Sequence, residues 1–276
     1  MTSVLYDAPG PKARRRSLTI SIIVVLAVVA ILAWVVLALA AQGVFDGERW
    51  DVFNDPLVWL SLLDGLWVTL QVAFYGAILA ISLGIVLSLL RSSQSRAVRI
   101  PTTVVLEFLR GMPVLLMILF ILLLFSTGAF WAVVLALGLY NGAIIGEALR
   151  SGLESLPRGQ RESGLAIGLS SLQSRLLIEF PQAFRTMLPI IVAQLVVLLK
   201  DTALGYIVGN IELIRRSRLL AEFFGAGQYA LSFFFVVLAM YLTVNLTISA
   251  IARRLARQRG QKLDLARVTD AGSGSL

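Results

Sequence analysis

Between Leu18 and Ala41 the chain runs for 24 residues without a charged side chain. A helix needs about 20 mostly apolar residues to cross roughly 30 Å of hydrocarbon, so this stretch is long enough to span a bilayer. Further runs repeat the pattern. We read spanning helices at Leu18–Ala41, Leu66–Leu90, Thr102–Phe125, Ala129–Leu149, Phe184–Val208 and Tyr229–Ala252. Only Ser126-Thr127-Gly128 joins the third to the fourth, which predicts an antiparallel hairpin. The expected fold class is therefore an all-α membrane protein of about six transmembrane helices.

The residue inventory narrows the chemistry. The chain is 58% hydrophobic and 14% charged, with a mean hydropathy of +0.86. A soluble domain is nearer half apolar and a quarter charged. Cysteine is absent, which excludes a disulfide framework and a thiolate metal site. Histidine is absent too, and with it the commonest metal ligand, acid/base catalyst and proton relay. Neither a metal site nor catalytic residues are expected. The formal charge of +8 is compatible with nucleic-acid binding, but its placement at the ends of apolar runs fits the positive-inside rule better.

Orientation follows from counting Lys and Arg in the connections. Lys12 and Arg14–Arg16 precede the first helix, and Arg91, Arg96 and Arg99 follow the second. Arg150, Arg158, Arg161 and Arg175 lie between the fourth and fifth, and Arg253, Arg254, Arg257, Arg259, Lys262 and Arg267 follow the sixth. With six spans all four sets share one side, so both termini are expected to be cytoplasmic. The first outer loop agrees, because Asp46, Glu48, Asp51 and Asp55 outnumber Arg49. The third dissents: Arg215, Arg216 and Arg218 lie on the wrong side, only partly offset by Glu212 and Glu222, which predicts an outer partner there.

The start of the chain admits two readings. Basic residues, an apolar run and Ala38-Leu39-Ala40 are also the pattern of a cleaved signal peptide, but the run exceeds the usual ~7–15-residue h-region, so an uncleaved anchor is favoured. Trp50–Leu63 mixes tryptophans with acids and is read as an outer interfacial helix. The Gly-Ser-rich end, Ala271–Leu276, is expected to be disordered.

Between Gly152 and Phe184 the chain leaves the membrane. Pro157 suits a helix start, and Leu165, Leu169 and Leu172 form an apolar stripe beside a charged face. Gly168 interrupts it, Ser170 and Gln173 have capping-box spacing, and Pro181 is expected to end the second short helix. Periodicity alone favours a solvated loop whose amphipathic helix lies on the headgroups. The residue pattern is more specific. Glu162-Ser163-Gly164, three residues, Gly168, nine residues and Ile178-Glu179-Phe180-Pro181 resemble the Glu-Ala-Ala…Gly…Ile-x-Leu-Pro motif of permease subunits of binding-protein-dependent ATP-driven importers. Ser163, Gly164 and Phe180 depart from it. Glu147-Ala148-Leu149-Arg150-Ser151-Gly152, Pro157-Arg158-Gly159-Gln160, Leu199-Lys200-Asp201-Thr202-Ala203-Leu204 and Arg110-Gly111-Met112-Pro113 are similar to the polar amino-acid branch of that family, the glutamate-type members most of all.

That resemblance, which spans about Gly65 to Arg254, implies a five-helix type I importer (MetI-like) core plus an N-terminal anchor helix. It divides the chain into a basic tail (1–17), an anchor (18–41), an outer interfacial segment (42–64), a permease core (65–254) with its coupling loop (152–183), and a basic, partly disordered tail (255–276). Glu162, Ser163, Gly164, Gly168, Leu169, Ile178 and Pro181 would seat on a cytoplasmic ATPase dimer. With no Gly-x4-Gly-Lys-[Ser/Thr] loop of its own, the chain would bind no cofactor, and ATP and Mg would sit on that partner. A second permease subunit, different or identical, and an external substrate-binding protein complete the expected assembly in a bacterial inner membrane. The chain itself would be a transporter subunit and not an enzyme.

Charges inside spans cost at least ~2.5–3.5 kcal/mol on insertion scales, so each needs a reason. Glu107, Arg110, Glu147, Lys200 and Asp201 are such groups. Self-pairing, Glu107 with Arg110 at i,i+3 for example, is one reason. Lining a substrate path is the other, with Arg110 for a carboxylate, Asp201 and Thr202 for an ammonium, and Glu147 and Lys200 nearby. Arg215, Arg216 and Arg218 are expected to contact the external binding protein. A secondary transporter would need broken helices or internal repeats, and a cofactor-bearing membrane enzyme would need ligands that this chain lacks.

Overall fold

The computed structural model describes the backbone of residues 10–273 and most side chains up to residue 250. Residues 1–9 and 274–276, and the side chains of the basic C-terminal tail, lie outside the described residues. Five helices are long and apolar enough to cross a membrane, or six if one bent pair counts as a span. The first, α1 (Pro11–Ala41), is apolar on every side from Leu18 onward and is exposed over nearly all of that stretch. A helix of that kind belongs in lipid or against another chain.

The outer segment differs from its expectation. It makes two short 3-10 turns, Gly47–Arg49 and Asp51–Asn54, and then α2 (Pro56–Arg91) begins. Asp55 accepts the Leu57 N–H at 2.8 Å and Pro56 occupies the first turn, so helix starts here and Leu57, Trp59 and Leu60 belong to α2. Val58 and Leu62 are buried against Leu213 and Phe233. α2 thus begins inside the stretch 42–64.

The third span is broken. α3 (Arg96–Gly111) and α4 (Val114–Phe125) meet at 105°. Pro113 disfavours helix at Met112, which is extended at φ −80°, ψ 129°. α4 alone covers only about 18 Å. The hairpin partner of α4 is α5 (Ala129–Glu154), entered through Ser126 and Gly128.

α2 and α5 pack at the centre through matched small residues. Gly76, Ala80 and Gly84 repeat every four residues on α2, and Gly138, Gly142 and Gly146 do so on α5. A Cβ on Gly84 would lie 3.0 Å from Ile145 Cβ and 3.1 Å from the Gly142 carbonyl, so the backbones approach as small-residue helix pairs do. Around this seam Ile118, Val133, Leu137, Leu149 and Leu198 form the main core.

Beyond α5 come α6 (Arg158–Ala166), α7 (Ser171–Ser174), a π turn (Arg175–Glu179), α8 (Phe180–Asp201), a 3-10 segment (Thr202–Val208), α9 (Leu213–Phe224) and α10 (Ala226–Ser273). Helix is continuous from Ser171 to Val208. Pro181 therefore does not end an element. It stands in the first turn of α8, and the π turn before it absorbs the register change its missing N–H requires. The backbone of α10 is helical to Ser273.

Candidate functional site

The polar loop folds into a compact knob whose closures are specific. Pro157 stands at the N-cap of α6. At the other end the Gly168 N–H bonds the Leu165 carbonyl at 3.0 Å, and the Leu169 N–H reaches the Gly164 carbonyl at 3.1 Å. These two bonds make a Schellman motif, and Gly168 holds its left-handed position with φ +89°. α7 opens with a reciprocal capping box, Ser170 Oγ accepting from Gln173 N at 3.3 Å and Gln173 Oε1 from Ser170 N at 2.9 Å.

Gly164, a departure from the resembled motif, is buried where α6 crosses α7 and the π turn. A Cβ there would lie 2.9 Å from Ser174 Cβ and 3.0 Å from Ile178 Cδ1. The buried Ser174 hydroxyl in turn donates to the buried Glu179 carboxylate at 3.4 Å. Gln182 at the base of α8 donates to Gln160 Oε1 on α6 at 3.0 Å. Arg175 donates to the Ser92 carbonyl, fastening the knob to the end of α2. Of the residues expected to dock, Glu162, Ser163, Gly168 and Pro181 are exposed, Leu169 and Ile178 are half-buried, and Gly164 is internal. Ile167 and Leu172 stand out, 75% and 62% exposed, with Leu165 nearby. Ser174, Glu179, Gln160 and Gln182 were not foreseen.

The intramembrane charges fall into two places. Glu147 pairs with Arg150 at 2.7 Å and with Arg91, and Arg150 also pairs with Glu154. Glu107 lies 3.8 Å from Arg110, the i,i+3 pair foreseen above, and 3.5 Å from Arg91. Arg110 and Glu147, with Tyr140 and Ser151, line a cavity of about 500 Å³. Lys200 lines a different one, a largely apolar groove of about 970 Å³ between α8, α9 and α10. Among the described residues neither Lys200 nor Asp201 has an ion-pair partner within 4 Å. Thr202 is buried and donates to the Leu199 carbonyl at 2.7 Å.

At the opposite end from the knob, Glu212 is fully buried and cannot offset surface arginines. Its carboxylate caps α9, accepting from Ile214 N at 3.0 Å and Arg215 N at 2.9 Å, and accepts the Tyr241 hydroxyl of α10 at 2.9 Å. Thr69 of α2 joins by accepting the Leu213 N–H at 3.2 Å. The carboxylate thus ties α9 to α10, and α2 is joined beside it through Thr69. Arg216 pairs with Asp64, while Arg218 stacks over the Tyr206 ring at 4.6 Å and Arg215 at 5.8 Å. No group of three or more acidic side chains placed to hold a metal occurs among the described residues.

Comparison with known proteins agrees with this architecture. Residues 76–261 match the family described as binding-protein-dependent transport system inner membrane component. The glutamate transport system permease protein GluD of Corynebacterium glutamicum is 39% identical over 229 residues, covering 80% of this chain and 83% of that protein. The probable glutamine ABC transporter permease protein GlnP of Bacillus subtilis is 35% identical over 199 residues, 70% of this chain and 91% of its own. Among solved structures, an amino acid ABC transporter crystallised with histidines superposes with a TM-score of 0.64 at 25% identity, over 72% of this chain and 94% of that one. The inward-facing MetNI methionine ABC transporter shares the fold at a TM-score of 0.61 and 18% identity, over 74% and 98% of the two chains.

Proposed function

The chain belongs to the family of binding-protein-dependent transport system inner membrane components, and on that premise we propose that it carries glutamate or a closely related polar amino acid as a permease subunit. It is a multi-pass membrane transporter subunit of an ATP-driven importer and not an enzyme; the ATPase is a separate chain. The observation that carries the reading is the knob itself. It offers Glu162 beside exposed Leu165, Ile167 and Leu172 on a scaffold closed by Gly164 and Gly168.

In this reading both termini and the knob are cytoplasmic, where ATP and Mg are held by an ATPase dimer. ATP binding closes that dimer and draws together the knobs of two permease subunits, the same chain or a different one. Because helix is continuous from Ser171 to Val208, movement of the knob reaches Lys200, Asp201 and Thr202 as a rigid-body tilt, the basis of a two-state gate. Asp201 receives the substrate ammonium there, with Thr202 beside it. Arg110, next to Glu147, offers its planar fork to the carboxylate at a second stop on the path, the inner cavity. Arg215, Arg216 and Arg218 meet the external binding protein.

Co-purification tests the docking. The ATPase is expected to come down with wild type and not with Glu162→Lys or Gly168→Asp; recovery with both variants would remove the knob from the interface. Asp201→Asn is expected to abolish uptake in vesicles while the complex stays assembled, and retained uptake would end its assigned role.

A further inference from the structure

We infer that the N-terminal half of α3 is a binding surface for anionic phospholipid headgroups, in the same leaflet as the coupling knob. The inference rests on the sidedness proposed above only for which leaflet is meant. α3 has three faces. Thr102 and Leu106 are buried, Leu106 against Leu87 of α2 and Ala143 of α5. Ile100, Val104 and Phe108 follow one another at four-residue spacing and are 58%, 63% and 65% exposed, with Val98 and Val105 alongside. Arg96, Arg99, Thr103 and Arg110 fall at spacings of three, four and seven and form a polar strip between those faces.

Position decides what covers the apolar face. α3 joins α2 to α4, and the chain turns by 105° at its end; in this inference α3 runs along the membrane surface between those two helices. An amphipathic helix so placed buries its apolar face at the acyl boundary and turns its polar strip to the headgroups. α4 is only about 18 Å long, and in the inferred placement the Met112–Pro113 kink and the Phe108 end accordingly lie below the headgroups, with Arg96 and Arg99 level with them.

The charge bookkeeping then selects an anion. Arg91 and Arg110 are engaged by Glu107 or Glu147. Arg96 and Arg99 are exposed and have no carboxylate within 4 Å among the described residues. Two free guanidinium groups at headgroup level match lipid phosphate. The surface is also wired to the knob, since Arg175 of the π turn holds the Ser92 carbonyl four residues before Arg96.

The absence of cysteine makes single-cysteine reporters clean. Thr103→Cys and Phe108→Cys would each carry an environment-sensitive fluorophore, with the full chain in phosphatidylcholine nanodiscs containing increasing phosphatidylglycerol. The Phe108 probe is expected to report an acyl environment in every disc. Spin-labelled phosphatidylglycerol headgroups should quench the Thr103 probe more than spin-labelled phosphatidylcholine, with about a fivefold preference per arginine. R96Q/R99Q should bring the two lipids level while the Phe108 signal stays unchanged, which also shows that α3 has kept its place. Equal quenching in the wild-type background, a preference that survives the double variant, or a water-like Phe108 probe would each overturn the inference. Labelling of Thr103→Cys by an impermeant maleimide from outside whole cells would instead sink the sidedness and leave the lipid preference to stand or fall on the quenching.

Discussion

The Gln182 side-chain amide donates to Gln160 Oε1 across 3.0 Å, bridging the knob and the base of the helix that carries Lys200 and Asp201. A hydrogen bond of this kind contributes about 1 kcal/mol net. Its value here lies in transmission: α6 follows α8 only if the two are fastened. Gln160→Ala is expected to leave ATPase co-purification intact and to lower the uptake obtained per ATP hydrolysed several-fold. An unchanged ratio would make the bond incidental.

Gly164 and Ser174 occupy space that admits no further methyl group. Overpacking of this kind costs about 1–3 kcal/mol. Gly164→Ala should lower thermal stability and weaken ATPase recovery, and Ser174→Gly in the same chain should restore both. If Gly164→Ala behaves as wild type, or if Ser174→Gly brings no recovery, the crossing is looser than the geometry says.

Glu212 makes stability depend on pH. Burial pushes its carboxyl above the ordinary value of 4.5, while the N–H groups of Ile214 and Arg215 and the Tyr241 hydroxyl pull it back. An acid with a raised folded pKa binds more protons folded than unfolded. Its contribution is fully present below the unfolded value and is lost as pH rises through the folded one. The melting temperature of the purified chain should therefore fall across that window, and Glu212→Gln should flatten the slope. A slope identical in the two proteins would assign it to another group.

These residues show what the amino-acid sequence makes visible. Spans were legible because apolar runs of membrane length have few other uses, and the knob because Glu162, Gly168 and Pro181 keep a fixed spacing. The break at Met112–Pro113 lay in plain view as Pro113, but hydropathy sums carry no direction, so α3 and α4 read as one straight span. The α2–α5 seam also left a signal, glycine or alanine every fourth residue from Gly76 and from Gly138. Gly164 against Ser174, and Gln160 against Gln182, have no such signal because each pair is created by the fold. Glu212 was counted as a surface charge since counting has no depth. Only packing shows that it is the buried cap of α9.

Uptake by reconstituted protein tests the importer function most directly. Proteoliposomes holding this chain with its permease partner and ATPase should accumulate glutamate, or a closely related amino acid, only when the external binding protein and ATP are both supplied. The purified chain alone should accumulate none under an ion gradient. Uptake by the chain alone with only that gradient would contradict the account.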